Sequence, residues 1–125
     1  MRDNAKGGAL TEVTFYILLV LFNPAHGYAI MQFVKKETGG RLRLGVGSLY
    51  GALCSLEDKG WIALSGKEEG RRKEYQITEL GVKVAEKELV RLHELVQVAE
   101  RTIQGGKEES MSVFFEEGLE HKKDG

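Results

Sequence analysis

The chain has one cysteine, one proline and one tryptophan in 125 residues, and no excess of either charge. The lone thiol, Cys54, allows no disulfide within the chain, so the fold must rest on its apolar core and the expected compartment is the cytoplasm. A net charge of −1 gives no global pull toward nucleic acid or a membrane surface, so a polyanion must be met by local clusters of cations. The longest apolar run, Phe15 to Phe22, falls far short of the ~20 residues that span a bilayer. No basic segment followed by a small-residue cleavage site opens the chain, so neither a secretory leader nor a membrane partner is expected. His26, His93 and His121 are scattered over three segments without ligand spacing, which argues against a metal or other cofactor. No serine, cysteine or carboxylate sits in a nucleophile or acid–base motif, so no enzyme is expected.

What is present is one domain's worth of soluble chain, with 42% hydrophobic and 30% charged residues. Residues 1–8 are polar and glycine-bearing, as frayed termini are. The stretch from Leu10 to Phe22 is continuously apolar, and periodicity alone does not separate a buried strand from a buried helix. Thr11 as N-cap, Glu12 in the first turn and the length of the run favour a helix, which Asn23-Pro24 stops. A second helix is expected from Gly27 to Thr38, with Ile30, Phe33 and Val34 on one face and Lys35 and Lys36 in its last turn, before Gly39-Gly40. Arg41 to Gly47 reads as a loop or a short strand. A third helix is expected from about Gly47-Ser48 to Gly60, with Leu49, Leu53 and Leu56 inward and Ser48, Gly51, Cys54 and Ser55 on the other side. Trp61 to Ser65 and Glu74 to Ile77 then pair as a hairpin around a long charged loop, Gly66 to Lys73.

Thr78 caps a last helix in which Val82, Ala85, Leu89, Leu92, Val96, Ala99 and Ile103 repeat at alternating steps of three and four. That spacing is a heptad seam. Running to Ile103, such a helix is about 39 Å long at ~1.5 Å per residue, more than a domain this small needs to cover itself. The seam therefore suits a second chain. Gln104-Gly105-Gly106 breaks it, and the charged tail beyond holds an apolar patch at Met111, Val113, Phe114, Phe115 and Leu119 that fits either a short helix or disorder. The expected organisation is 9–77 as a DNA-binding unit, 78–104 as a dimerisation helix and 105–125 as a polar tail.

Three helices followed by a two-stranded wing is the order of a winged helix-turn-helix, mainly α with a small β element. The segments His26-Gly27-Tyr28, Gly47-Ser48-Leu49-Tyr50 through Leu53 and Leu56, Gly60-Trp61-Ile62, Gly70-Arg71-Arg72-Lys73, Tyr75 and Thr78 to Gly81 resemble the PadR family of transcriptional regulators. The resemblance spans about Leu10 to Ile103. It implies a homodimeric repressor whose third helix enters the major groove, whose wing meets the adjacent backbone or minor groove, and whose last helix forms the dimer. It also implies a small hydrophobic or aromatic effector held near the dimer interface, as in family members with a short C-terminal region. The chain departs from the family's pattern in two ways. Gly51 stands where proline is usual, loosening the helix start, and Cys54 and Ser55 stand where a basic residue is often found.

The candidate DNA-binding residues are Tyr28, Arg41, Arg43, Ser48, Tyr50, Ser55, Lys59, Arg71, Arg72 and Lys73. The Arg71-Arg72-Lys73 tip can neutralise phosphates or enter a narrow minor groove, whereas outside such a context it is a solvated turn. Ser48, Tyr50 and Ser55 can donate to phosphates or base edges, although Ser48 also suits an N-cap and Tyr50 a packing role. Arg41 and Arg43 reach toward the backbone, while Lys35 and Lys36 simply complement a helix C-terminus. Cys54 has Glu57 and Asp58 one turn along, which disfavours a thiolate and leaves it a small, semi-buried filler. Dimerisation is assigned to Ala85, Leu89, Leu92, Val96, Ala99 and Ile103. The candidates for contact with an effector are Phe15, Leu19, Leu89 and Val96. The expected partners are thus an inverted-repeat DNA duplex, a second copy of the chain and a small effector. The competing reading is a winged-helix dimer that binds proteins and reads no DNA.

Overall fold

A computed structural model of the chain describes residues 8–69 and 72–106. The elements, in order, are α1 (Glu12–Val20), β1 (Ala25–His26), α2 (Gly27–Glu37), α3 (Val46–Asp58), β2 (Ile62–Glu69), β3 (Arg72–Ile77) and α4 (Glu79–Gly105). The apolar run is helical. Its N-cap is Thr11, whose hydroxyl oxygen accepts the Thr14 N–H at 3.1 Å, leaving one fewer orphan donor in the first turn. The strands form a three-stranded antiparallel sheet in the order β1-β3-β2.

The core lies between the three helices and the sheet. Ile17, Leu18 and Leu21 from α1 and its cap, Ile30 from α2, Leu49, Leu53 and Leu56 from α3, and Ile62 from β2 are essentially sealed from solvent. The leucines of α3 recur at steps of four and three, so one face of that helix is buried and the other is free. Trp61 is buried where α3 meets β2, and Ala85 of α4 joins the same cluster. The seal there depends on Gly81. A Cβ at that position would overlap the Trp61 carbonyl oxygen and come within 2.7 Å of Ile77 Cγ1, so the start of α4 packs this closely only because the side chain is missing. Thr78 caps α4: its oxygen accepts the Gly81 N–H at 3.0 Å while its hydroxyl donates to the Gly60 carbonyl at 2.6 Å.

Several boundaries differ from the sequence reading. The hairpin has no long loop, because β2 runs to Glu69 and β3 begins at Arg72, with Glu69 opposite Arg72. A register irregularity between Leu64 and Glu68 absorbs the extra residues of β2. The charged tip has no apolar face, so the period-2 signal of a strand was missing there. β1 was unforeseen, since two residues carry no readable period; it pairs Ala25 with Tyr75 and His26 with Glu74. The segment between Arg41 and Gly45 forms no strand. α3 begins earlier, with Gly45 as its N-cap, so Ser48 lies within the first turn and does not cap. Gly51 consequently sits well inside the helix. α4 continues past Ile103 to Gly105.

The chain divides into two compact units, one ending at Leu89 and one beginning at Val90. In the first unit, Gly81, Ala85 and Glu88 of α4 are buried, and the Glu88 carboxylate accepts the Leu10 N–H at 3.4 Å. The Ala85 methyl group is thus buried within its own chain. Leu89, at the edge of that unit, is 60% exposed. In the second unit Leu92 is half-buried, Ala99 is exposed, and Val96 and Ile103 are 51% and 58% exposed. The apolar patch from Met111 to Leu119 lies outside the described residues. No helix among the described residues is long and apolar enough to cross a membrane.

Candidate nucleic-acid interface

Three elements converge beside the free face of α3. The N-terminus of α2 starts directly from β1, and β1 is held to β3 by its ladder, so the sheet fixes where α2 begins. His26 is the N-cap of α2 but makes no side-chain capping bond. Its ring turns the other way, with Nδ1 at 3.1 Å from the Lys73 carbonyl. A carbonyl oxygen only accepts, so Nδ1 carries the hydrogen in this contact. His26 therefore ties the base of the wing to the start of α2.

Gly27 follows, and its backbone lies against α3. A Cβ there would stand 2.6 Å from the Tyr50 hydroxyl and 3.0 Å from Leu49 Cδ2. Glycine is what lets the Tyr50 phenol reach the uncapped first turn of α2. Around this approach His26, Gly27, Tyr28, Ala29, Tyr50, Arg72 and Lys73 line a hollow of about 330 Å³. The hollow combines two phenols, two cationic side chains and a helix N-terminus with open N–H groups. Such a set suits an anionic oxygen, since the donors and the positive end of the helix dipole point the same way.

Of the sequence candidates, Tyr28, Tyr50, Arg72 and Lys73 are thus brought to one place, and all four are exposed. Arg71 lies outside the described residues. Ser48 is exposed on α3 about half a turn round from Tyr50, and Ser55 is half-buried. Lys59 is turned inward over the Trp61 ring, 5.3 Å from its centroid, a cation–π contact that draws it away from the groove face. Arg41 forms a bidentate ion pair with Glu12. The Arg41 hydrogen bond holds the Glu12 carboxyl below its ordinary range, opposed by desolvation and aided by the Arg41 charge. Arg43 points elsewhere, its Nε donating to the Gly40 carbonyl at 3.4 Å.

The exposed side of α3 carries no cation at all between Val46 and Asp58, and Glu57 and Asp58 lie exposed at its end. Cys54 is exposed there as well, so it is not the semi-buried filler expected; a helix face without a neighbour leaves it in solvent. Two residues escaped the sequence reading. Val46, 61% exposed, is the first residue of α3, where the sequence pattern suggests a loop. Gln32 donates to the Tyr28 hydroxyl at 2.6 Å, and the i, i+4 spacing of the two was the available signal. Phe15 packs against the core and Leu19 is exposed on α1; neither they nor Leu89 or Val96 line this hollow. Among the described residues no group of three or more His, Cys, Asp or Glu side chains is arranged to hold a metal ion.

Comparison with known proteins agrees with this architecture. Residues 17–87, more than half of the chain, match the profile of the Transcriptional regulator PadR-like family. A curated relative, an uncharacterized 37.1 kDa protein in transposon TN4556 of Streptomyces fradiae, is 34% identical over 89 residues, covering 71% of this chain. The chain spans only about a quarter (24%) of that relative's length. Among solved structures, a transcriptional regulator from Clostridium thermocellum is 28% identical with a TM-score of 0.64, over 71% of this chain and 87% of that one. A PadR family transcriptional regulator from Eggerthella lenta is 25% identical with a TM-score of 0.62, over 73% and 80% of the two chains. Its winged helix, the short wing tied to α2 and the matched segment together establish that this chain belongs to the PadR-like family of transcriptional regulators.

Proposed function

We propose that the protein is a homodimeric, sequence-specific DNA-binding repressor. The observation that carries this reading is the hollow of Tyr28, Tyr50, Arg72 and Lys73 at the uncapped start of α2, beside a helix whose outer face is free. In this reading α3 lies in the major groove with Ser48, Tyr50 and Ser55 toward it. The wing, with Arg71, Arg72 and Lys73, neutralises the adjacent backbone. A two-fold dimer through Leu89, Leu92, Val96, Ala99 and Ile103 places two α3 helices on an inverted repeat with half-sites about one turn, ~34 Å, apart.

Regulation then acts on the spacing of the two α3 helices. A small hydrophobic or aromatic effector that binds one spacing better than the other shifts the population of dimers that fit DNA. Phe15, Leu19, Leu89 and Val96 are the residues to vary first in seeking its site.

The test is fluorescence anisotropy on duplexes that include DNA from upstream of its own coding sequence, titrated with salt. The Arg72→Ala/Lys73→Ala double variant should make the dependence of log K on log salt shallower by about two, since each lost phosphate contact removes ~0.9. An unchanged slope would take the wing out of the mechanism. Absence of any duplex binding at ~50 mM salt, where non-specific contacts are strong, would favour a protein-binding winged helix instead.

A further inference from the structure

Since α3 carries no cation, the wing alone would have to supply the electrostatics of binding. A second group of cations lies at the far end of α2. Gln32, Lys35, Lys36, Gly39, Gly40 and Arg43 line an open hollow of about 500 Å³. A smaller one of about 190 Å³ adjoins it, sharing Gln32, Lys35 and Arg43. No carboxylate lines either space, and Glu37 of the same turn is absent from both linings. Neither lysine nor Arg43 has an acidic partner among the described residues, whereas Arg41, two residues before Arg43, is neutralised by Glu12.

Lysines at a helix C-terminus complement its dipole, but that does not account for this group. Three of the last carbonyls of α2 already have partners: Val34 the Thr38 N–H and hydroxyl, Lys36 the Gly39 N–H at 3.1 Å, and Lys35 the Gly40 N–H at 2.8 Å. With those oxygens occupied, Lys35 and Lys36 are left pointing to solvent. The Arg43 guanidinium is then brought to the same hollow. Three like charges converging without a counter-charge repel one another, and a polyanion relieves that repulsion.

The group is also joined to the first site. Tyr28 lines the hollow by the wing, Gln32 lines the one at the far end of α2, and the two are hydrogen-bonded at 2.6 Å. From Tyr28 to Lys36 the edge of α2 rises about 12 Å at ~1.5 Å per residue. That length spans roughly three phosphates of one strand, which are spaced ~3.4 Å along the axis. In a helix-turn-helix the helix before the recognition helix crosses the backbone, and α2 is that helix here.

We infer that the edge of α2 from Tyr28 and Gln32 to Lys35, Lys36 and Arg43 is a second DNA phosphate-binding rail, separate from the wing. The inference rests on the DNA-binding reading above and assigns Lys35 and Lys36 a role in it. The rail touches backbone only, so it raises affinity for every sequence alike.

The experiment compares Lys35→Ala/Lys36→Ala with wild type and with Arg72→Ala/Lys73→Ala, each as full chain, on an upstream duplex and a scrambled one between ~50 and ~200 mM salt. The α2 variant should show a slope shallower by about two and an affinity tens-fold lower at ~0.1 M salt, equally on both duplexes. Lys35→Arg/Lys36→Arg should restore the slope, and thermal melts should show all variants folded. A wild-type slope in the α2 variant, with the wing variant reduced, overturns the rail and leaves the DNA-binding reading intact. A loss confined to the upstream duplex overturns it too, by making the contact one to bases. If wild type binds neither duplex, both readings fall together.

Discussion

Along α4 the buried residues of the first part share only Ala85 with the heptad seam, and the later seam positions are largely open. Between Glu79 and Glu88 the inward positions are Gly81, Ala85 and Glu88, packed against Trp61, Ile77 and the N-terminal segment. From Leu89 onward the seam positions Leu89, Val96 and Ile103 are more than half exposed. Leu95, which precedes Val96, and Val98 are exposed as well, so the apolar face is wider than a two-position seam. Periodicity thus tells which side chains require cover and is silent on which chain supplies it. Burying a Val or Leu side chain is worth about 1.5–3 kcal/mol, and in the second part that free energy is still unclaimed.

The comparison breaks most visibly at Val96. If a second copy covers the open part, Val96→Glu places an unpaired carboxylate in the interface of each protomer. Losing about 2 kcal/mol from each side weakens the dimer by about 10³-fold. Sedimentation over a range of concentrations should then show monomer where wild type is dimer, while the circular dichroism of the winged helix stays native. A Val96→Glu chain that keeps its oligomeric state would mean that the open part is not the seam.

The buried part makes the reverse demand. Gly81→Ala forces a methyl group against the Trp61 carbonyl, and overpacking of this kind costs about 1–3 kcal/mol. Denaturant unfolding should register that loss, with the self-association of native chains unaltered. Equal stability would show that α4 can shift away from Trp61 freely, and that its first part is no more fixed than its second.

How far these differences could be read from sequence depends on the kind of signal each residue gives. The leucines of α3, the cap at Thr11 and the cap at Thr78 act through local periodicity or local hydrogen bonds, and the structure has them where the pattern placed them. Ala85 and Leu89 are both apolar seam residues by spacing, and only the packing of Trp61 and Gly81 separates their fates. β1 is made by a partner strand fifty residues away, which no window around Ala25-His26 contains. The candidate site shows the same division. Tyr28, Tyr50, Arg72 and Lys73 were legible through their motifs. The inward turn of Lys59 onto Trp61, the capture of Arg41 by Glu12 and the exposure of Cys54 were not, because each depends on which side chain the fold delivers next to it.

Arg41 offers the mildest test, confined to the unit that ends at Leu89. Its ion pair with Glu12 joins the first turn of α1 to the segment after α2, and both side chains are exposed, so solvent screens the pair. The Arg41 hydrogen bond, reinforced by its charge, holds the Glu12 carboxyl below the ordinary range. The folded chain therefore releases this proton more readily than the unfolded chain. The pair's contribution is present above the unfolded carboxyl value and is lost as pH falls through the folded one. In Arg41→Ala the Glu12 titration, followed by NMR, should return to the ordinary range, and the small acid-side loss of stability assigned to it should vanish. The oligomeric state should not change. The same substitution also separates two arginines that sequence treats alike. Because Glu12 already neutralises Arg41, Arg41→Ala should leave the salt slope of DNA binding near wild type, whereas Arg43→Ala should make it shallower by about one. Equal losses in the two variants would mean that Arg41 leaves Glu12 for a phosphate when DNA binds.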